Sequence, residues 1–537
     1  MNAVRPHLPI LLVLIPLFGA LLAGFARRGN SGFAIALAVS WLVPFCAGAM
    51  LWQVQVSGPI SYHLGSWAPP WGIEYRVDLL NAFVLMLVSV VGAAIMPFAR
   101  RSVAFEVEEG QRAWFYCMYL LCLTGLLGIA VTGDAFNAFV FLEISSLSTY
   151  VLIALGRDRR ALLAAFQYLI MGTIGATFYV IGVGLLYLTT GTLNMADMAA
   201  RLGPAWADSS RAIVAALAFV TVGVSLKLAL FPLHVWLPNA YAYAPSWATA
   251  FLAATATKVA IYLLVRFIFS IFGVAIDLRS LPVAAVLVGL SLAAMFAASL
   301  IAIFQSNLSR MLAYSSVAQI GYITLGIGFV NLAGLTGGLV HIVNHAMMKA
   351  ALFLAIGAIF FRVRTVQLSD LAGIGRKMPV TMAVFTVACF GLVGTPGTSG
   401  FISKWYLALG ALEKGWWLVV FLIVASSLLA LVYVGRVLEA AWLREPSAAV
   451  ADASDPPLSM LLPLVLLAAA TVYFGFDTQW TAGIASTAAK GLLEGLRCPR
   501  PSRPKACSSS HCSHRSSARR CCRCFTAGRT CARRRPS

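Results

Sequence analysis

A chain of 537 residues that is 60% hydrophobic and only 11% charged has too little polar surface to cover a water-soluble globule and belongs in lipid. Its formal net charge of +20 would suit a nucleic-acid or lipid-surface binder, but residues 497–537 hold twelve Lys and Arg and no acid, leaving +8 for the rest. The excess charge is a property of the tail and says nothing about the body of the chain.

A spanning helix needs about 20 apolar residues, and such stretches follow one another from residue 8 to about residue 475. The first, Leu8 to Phe25, is followed by Arg27 and Arg28 without a small-residue cleavage site and is read as a retained helix, not a signal peptide. Further spans are predicted near 33–52, 78–98, 114–131, 135–155, 163–189, 212–244, 248–270, 281–304, 308–330, 335–360, 379–410, 416–442 and 457–475, which makes about fourteen transmembrane helices and an all-α membrane protein. Fourteen basic residues, from Arg27 and Arg28 through Arg100, Arg157 and Arg362 to Arg444, fall on one set of alternate loops, against eight on the other set. The positive-inside rule therefore puts the first set in the cytoplasm and both termini outside.

A charge at mid-membrane is costly, so such residues are functional candidates by default. Glu143 has about eight apolar or small residues on either side and is too deep for its short side chain to reach water. It must be paired or protonated, the plainer alternative being a Glu that only locks two helices together. Lys227 precedes Pro232, which cannot donate to the carbonyl of Leu228, so the helix should break beside the lysine. Lys258 lies ten residues into the next span, as a relay or a structural lysine. His341, His345 and Lys349 recur at i, i+4 and i+8 and share one helical face. They suit a proton relay, with helix-packing histidines as the alternative. Lys404 follows GLVGTPGTSGFIS, whose glycines and Pro396 interrupt a long apolar span much as Pro232 does. Two interrupted helices in corresponding places are the sequence sign of an inverted-repeat transporter with its site near the midplane.

No metal site is expected. The two histidines have no cysteine or carboxylate on their helix, and the tail cluster His511, Cys512, His514, Cys521, Cys522 and Cys524 lacks separated ligand pairs around a foldable core. The tail has too few apolar residues to offset its ordering entropy and is read as disordered; a translated frameshift would look similar. No cofactor is expected either, because dinucleotide, nucleotide and iron–sulfur motifs are absent. Any redox chemistry would belong to partner subunits.

The segments FNAFVFLEISSLSTYVLIAL, LKLALFPLHVWLPNAYAYAPSWATAFLAATATK, NLSRMLAYSSVAQIGYI, HAMMKAALFL and GTPGTSGFISKW together resemble the proton-translocating antiporter-like family. That family includes Mrp-type cation/proton antiporter subunits and the membrane-arm subunits of respiratory complex I. The resemblance implies two inverted five-helix repeats with broken helices 7 and 12. It matches Glu143, Lys227, Lys258 and Lys404 to the family's charged positions on helices 5, 7, 8 and 12. The M-type complex I subunit usually carries glutamate where Lys404 stands, and the L and A types extend well beyond helix 14. That leaves the D type of Mrp and the N type of complex I, with the wording around Lys404 nearer the D type.

The implied division is 1–113 for the first three helices, 114–275 and 276–445 for the two repeats, 446–490 for helix 14 and its flank, and 491–537 for the tail. The expected activity is proton translocation along Glu143, Lys227, Lys258, His341, His345, Lys349 and Lys404. The expected setting is a multisubunit Na+ or K+/proton antiporter in the bacterial inner membrane. A proton-pumping subunit of an NADH:quinone oxidoreductase or membrane hydrogenase is the alternative. Other membrane subunits, lipid, protons and monovalent cations are the expected partners, with no nucleic acid. Burial disfavours charge and an opposite neighbour favours it, so a Glu143–Lys227 ion pair is expected as a switch.

Overall fold

The computed structural model describes residues 5–26, 29–273 and 282–495. The tail cluster of Cys and His, the rest of residues 497–537, and Arg27 and Arg28 lie outside them.

Helices dominate because a chain in hydrocarbon must satisfy its backbone groups within each segment. In order they are α1 (Leu8–Phe25), α2 (Gly29–Ser57), α3 (Leu79–Glu106), α4 (Arg112–Val131), α5 (Ala135–Ala154), α6 (Arg159–Thr190), α7 (Met195–Leu228), α8 (Trp236–Tyr243) and α9 (Ser246–Val265), the last continued by a π-helical stretch over Arg266–Phe272. There follow α10 (Val283–Ile303), α11 (Leu308–Gly328), α12 (Leu332–Val363), α13 (Pro379–Val393), α14 (Ser399–Leu412), α15 (Trp417–Trp442), α16 (Leu458–Phe476) and α17 (Ile484–Gly495). Twelve helices among the described residues are long and apolar enough to cross a membrane. The other two predicted spans coincide with α11, made more polar by Arg310, Gln319 and several serines, and with the α13–α14 pair, each half of which is too short to cross alone.

Short polar residues set the helix starts. The side chains of Asp78, Asp134, Asp158, Asn194, Asn307 and Asn331 accept first-turn N–H groups of α3, α5, α6, α7, α11 and α12, the donors a helix cannot satisfy itself. Both predicted breaks are present. α7 stops at Leu228 with Ala229 left-handed at φ 60°, and helix resumes only at Trp236. α13 ends at Gly394, φ 85°, and α14 begins at Ser399.

Two features were not anticipated. β1 (Ile60–His63) and β2 (Glu74–Val77) form an antiparallel hairpin in register Ile60↔Val77 to His63↔Glu74. α17 buries Ile484, Ala485, Ala488, Ala489 and Leu492 and packs on α12 and α3.

α12 is the axis of the molecule. Every residue from Gly334 to Ile359 is buried, and α3, α9, α11, α13, α14, α16 and α17 all pack on it, as expected of a helix that is apolar nearly all round. α6 and α7 meet over glycines: a Cβ at Gly223 would stand 2.6 Å from the Gly175 carbonyl oxygen and from the Tyr179 amide nitrogen. Small residues let membrane helices approach this closely.

Candidate functional site: a line of buried amines and imidazoles

Lys227 occupies the last turn of α7, against the break. Its Nζ donates to Ser146 Oγ and, at 3.4 Å, to the Tyr150 hydroxyl. The rings of Tyr150 and Tyr168 lie 5.8 and 6.0 Å from the amine. Gly172 makes room for it, since a Cβ there would be 1.9 Å from the Tyr150 hydroxyl and 3.3 Å from Nζ. The indole of Trp236 in α8 reaches back to the Leu226 carbonyl at 2.9 Å, which also accepts the Ala229 amide at 3.3 Å. A cavity of about 30 Å³ lies beside the lysine, lined by Ser146, Thr149, Tyr168, Lys227, Ala256 and Ala260 among others. At roughly 10–15 Å³ per water by the same measure, it has room for two or three, with polar groups to hold them.

The expected Glu143–Lys227 ion pair is not formed. The ion pairs among the described residues are Asp158–Arg160, Asp197–Arg201, Asp78–Arg266, Glu439–Arg444 and Lys490–Glu494. The reason lies in the α5 wheel. Glu143 is half-buried at the edge of the outward stripe of Phe136, Val140, Leu147 and Val151, all exposed, whereas Ser146 and Tyr150 face α7 and take the amine. Glu143 remains within electrostatic reach of Lys227, and its Oε1 is buried without a partner.

Lys258 is completely buried and donates to the Ala253 carbonyl and, at 3.3 Å, to Thr257 Oγ1. It lies within electrostatic reach of His341, His345 and Lys349 on α12. His341 bridges three helices, with Nε2 2.8 Å from Gln319 Oε1 on α11 and Nδ1 2.7 Å from Ser403 Oγ on α14. His345 stacks parallel to it at 6.1 Å between ring centres, and both its nitrogens are buried without a protein partner. Lys349 donates to the Leu312 carbonyl at 2.8 Å and Ser315 Oγ at 3.0 Å. Lys404, on α14, donates to the Leu392 and Val393 carbonyls at 3.2 and 2.7 Å and to Ser427 Oγ on α15 at 2.9 Å, with the Tyr322 ring 4.6 Å away. The carbonyls are those freed where α13 stops, so the second break supplies ligands to the lysine beside it.

Each of the four lysines is thus held by hydroxyls and carbonyls, never by a carboxylate. Such neutral acceptors hold an ammonium without locking it in place. Ser146, Tyr150, Gln319, Ser403 and Ser427 escaped the sequence reading because Ser, Tyr and Gln are unremarkable in helices. The i, i+4 spacing of Ser146 and Tyr150, and Ser403 next to Lys404, were the available signals.

A larger cavity, about 330 Å³, opens among the arginine-bearing loops, lined by Glu106, Arg157, Arg160, Arg364, Tyr241 and Thr249 among others. Glu106, beyond the predicted end of the third span, accepts from Ser102 at 2.6 Å and from the Ser246 amide and hydroxyl at 2.8 and 2.9 Å, pinning the start of α9. Tyr241 at the inner wall lies beside Thr257, the residue that also receives Lys258.

Residues 132–430 match the family described as NADH:quinone oxidoreductase/Mrp antiporter, TM. The chain is 43% identical over 491 residues to NADH-quinone oxidoreductase subunit N of Desulforudis audaxviator, covering 88% of this chain and 96% of the relative. It is 31% identical over 479 residues to the D-type Na(+)/H(+) antiporter protein of Alkalihalophilus pseudofirmus, covering 88% and 94%. A chain of the Mrp complex from Dietzia sp. DQ12-45-1b shares its fold with a TM-score of 0.83 at 26% identity, over 92% of this chain and 99% of that one. With membrane-spanning helices throughout and this match over more than half its length, the chain belongs to the NADH:quinone oxidoreductase/Mrp antiporter family of multi-pass membrane subunits.

Proposed function

We propose that the chain is the proton-translocating subunit of a multisubunit Na+ or K+/proton antiporter. The observation that carries this reading is the set of buried lysines held only by neutral acceptors, two of them at helix breaks, with a water-sized cavity beside Lys227. A lysine locked by carboxylates would be a staple; one held by hydroxyls beside a cavity can exchange its proton with water.

In the proposed cycle Lys227 holds a proton while Glu143 is ionised, the carboxylate acting across space and not by contact. Neutralising Glu143 removes that support, and the proton passes through the cavity to Lys258. From there it moves to the His341, His345 and Lys349 face and on to Lys404. His345, with two free nitrogens, is the natural hand-over point, accepting on one and releasing from the other. Two five-helix repeats, 114–275 and 276–445, would each contribute one helix break to this path. The arginine-rich loops are assigned to the cytoplasm of a bacterial inner membrane, and both termini to the outside.

Glu143 also bears on the partners. A carboxylate on an outward apolar stripe is intolerable against lipid, so α5 is assigned to a contact with a neighbouring membrane protein that brings polar groups to Glu143. The 43% identity to the N-type oxidoreductase relative, against 31% to the D-type antiporter relative, favours a second reading in which the same path is driven by quinone reduction in a complex I-like assembly.

Inverted membrane vesicles carrying the complete assembly, read with a pH-sensitive dye after Na+, K+ or NADH addition, separate the two. Cation-driven pH change supports the first reading and NADH-driven acidification the second. Under either, Glu143→Ala and Lys227→Ala each abolish the response while the assembly stays intact. An undiminished response in both variants defeats the path.

A further inference from the structure

One largely buried charged side chain, Arg266 at 12% exposure, takes no part in this path. Arg266 lies eight residues beyond Lys258 on α9, with Tyr262 between them, so the three share a face of the helix. Its Cα lies about 12 Å from that of Lys258 along the axis, toward the hairpin end of the molecule and away from the arginine-rich loops. It opens the π-helical stretch Arg266–Phe272, and such wide turns recur at functional sites.

Both terminal nitrogens of the guanidinium are saturated. Nη1 donates to Asp78 Oδ2 at 2.7 Å and Ser270 Oγ at 3.2 Å, and Nη2 to Asp78 Oδ1 at 2.9 Å and Asn81 Oδ1 at 2.7 Å. Asn81, itself buried, donates to the Tyr262 hydroxyl at 2.7 Å and the Ala130 carbonyl at 2.6 Å, and its backbone nitrogen is capped by Asp78. Tyr262 donates to the same Ala130 carbonyl at 3.2 Å. The two ends of the Lys258 face therefore differ: one meets a 330 Å³ vestibule through Thr257 and Tyr241, while the other meets a fixed cation whose terminal donors are all used.

We infer that Arg266, fixed by Asp78 and Asn81, is the seal that keeps protons on Lys258 from leaving at the hairpin end. A guanidinium does not deprotonate in proteins and cannot relay, and a fixed positive charge repels an approaching proton, as arginines do in selective pores. This role rests on the proposed proton path, but its signature is a leak, measured without any cation gradient or NADH.

The test uses vesicles with the full assembly under a potassium diffusion potential set with valinomycin, a dye reporting passive proton flux. Removing Arg266 alone would strand the Asp78 charge. The main variant is therefore Asp78→Asn with Arg266→Gln, which keeps amide hydrogen bonds and the helix cap but no positive charge. A several-fold rise in passive flux is expected. Asp78→Asn alone, which keeps the guanidinium, its charge and an amide acceptor, should stay as tight as the parent, and adding Lys258→Met to the neutral pair should abolish the leak. A neutral pair as proton-tight as the parent, or a leak that survives Lys258→Met, overturns the seal. If the neutral pair does not assemble, Asp78→Asn alone decides, since a leak there despite the retained guanidinium also overturns it. Loss of driven exchange in Lys227→Ala is a separate reading, so the seal and the path can fail independently.

Discussion

Among single residues, Gly172 shows how tightly the Lys227 site is drawn. It has no chemistry of its own, yet any Cβ there would intrude on the Tyr150 hydroxyl and the Lys227 amine together. Gly172→Ala should turn Tyr150 aside and misplace the amine, lowering driven proton exchange about tenfold, or about 1.4 kcal/mol, at normal assembly. Vesicle exchange rates check this, and a rate equal to the parent's would mean the amine's position does not matter. The titratable residues of the proposed path stand out in the sequence because charge inside twenty apolar residues has few cheap explanations. What they bond to does not. Nothing in the pattern marks Ser146, rather than Glu143, as the group that takes Lys227; that follows from which side of α5 faces α7, a tertiary fact that periodicity leaves ambiguous when both sides are apolar.

Among elements, the helix breaks were the readable part. Pro232 and the Gly-Thr-Pro-Gly run before Lys404 remove backbone donors or permit left-handed turns, and both act locally. The β1–β2 hairpin and α17 were missed for the converse reason. The strands are four residues each, and α17, with Lys490 and Glu494, does not look like a span. Their placement comes from the ends of helices distant in sequence. The α6–α7 seam gives a test at this scale. Gly223→Val would press side-chain atoms into the backbone of α6, whereas Gly184→Ala meets nothing within 4 Å. The first should cost about 1–3 kcal/mol and lower the melting temperature of the detergent-solubilised assembly; the second should leave it unchanged. Equal melting curves would mean the seam yields where the glycines suggest it cannot.

For the molecule as a whole, α12 runs through the centre unbroken while the helices on either side of the path, α7 and the α13–α14 pair, are interrupted. Its 32 residues make it about 48 Å long, more than the roughly 30 Å of hydrocarbon it must cross. His341 and Lys349 are separated by about 12 Å of that length. A proton passing between them therefore traverses about two-fifths of the electric field across the bilayer, worth about 0.9 kcal/mol at 100 mV given about 2.3 kcal/mol per charge for a full crossing. Proton occupancy along the stack is thus set by voltage as well as by pH. At fixed pH difference, exchange should change four- to fivefold between zero and 100 mV imposed potential, and an exchange rate indifferent to voltage would mean protons do not travel along this helix. On the proposed path the central helix is in this sense a voltmeter, by which the assembly would respond to the electrical half of the proton gradient separately from the chemical half.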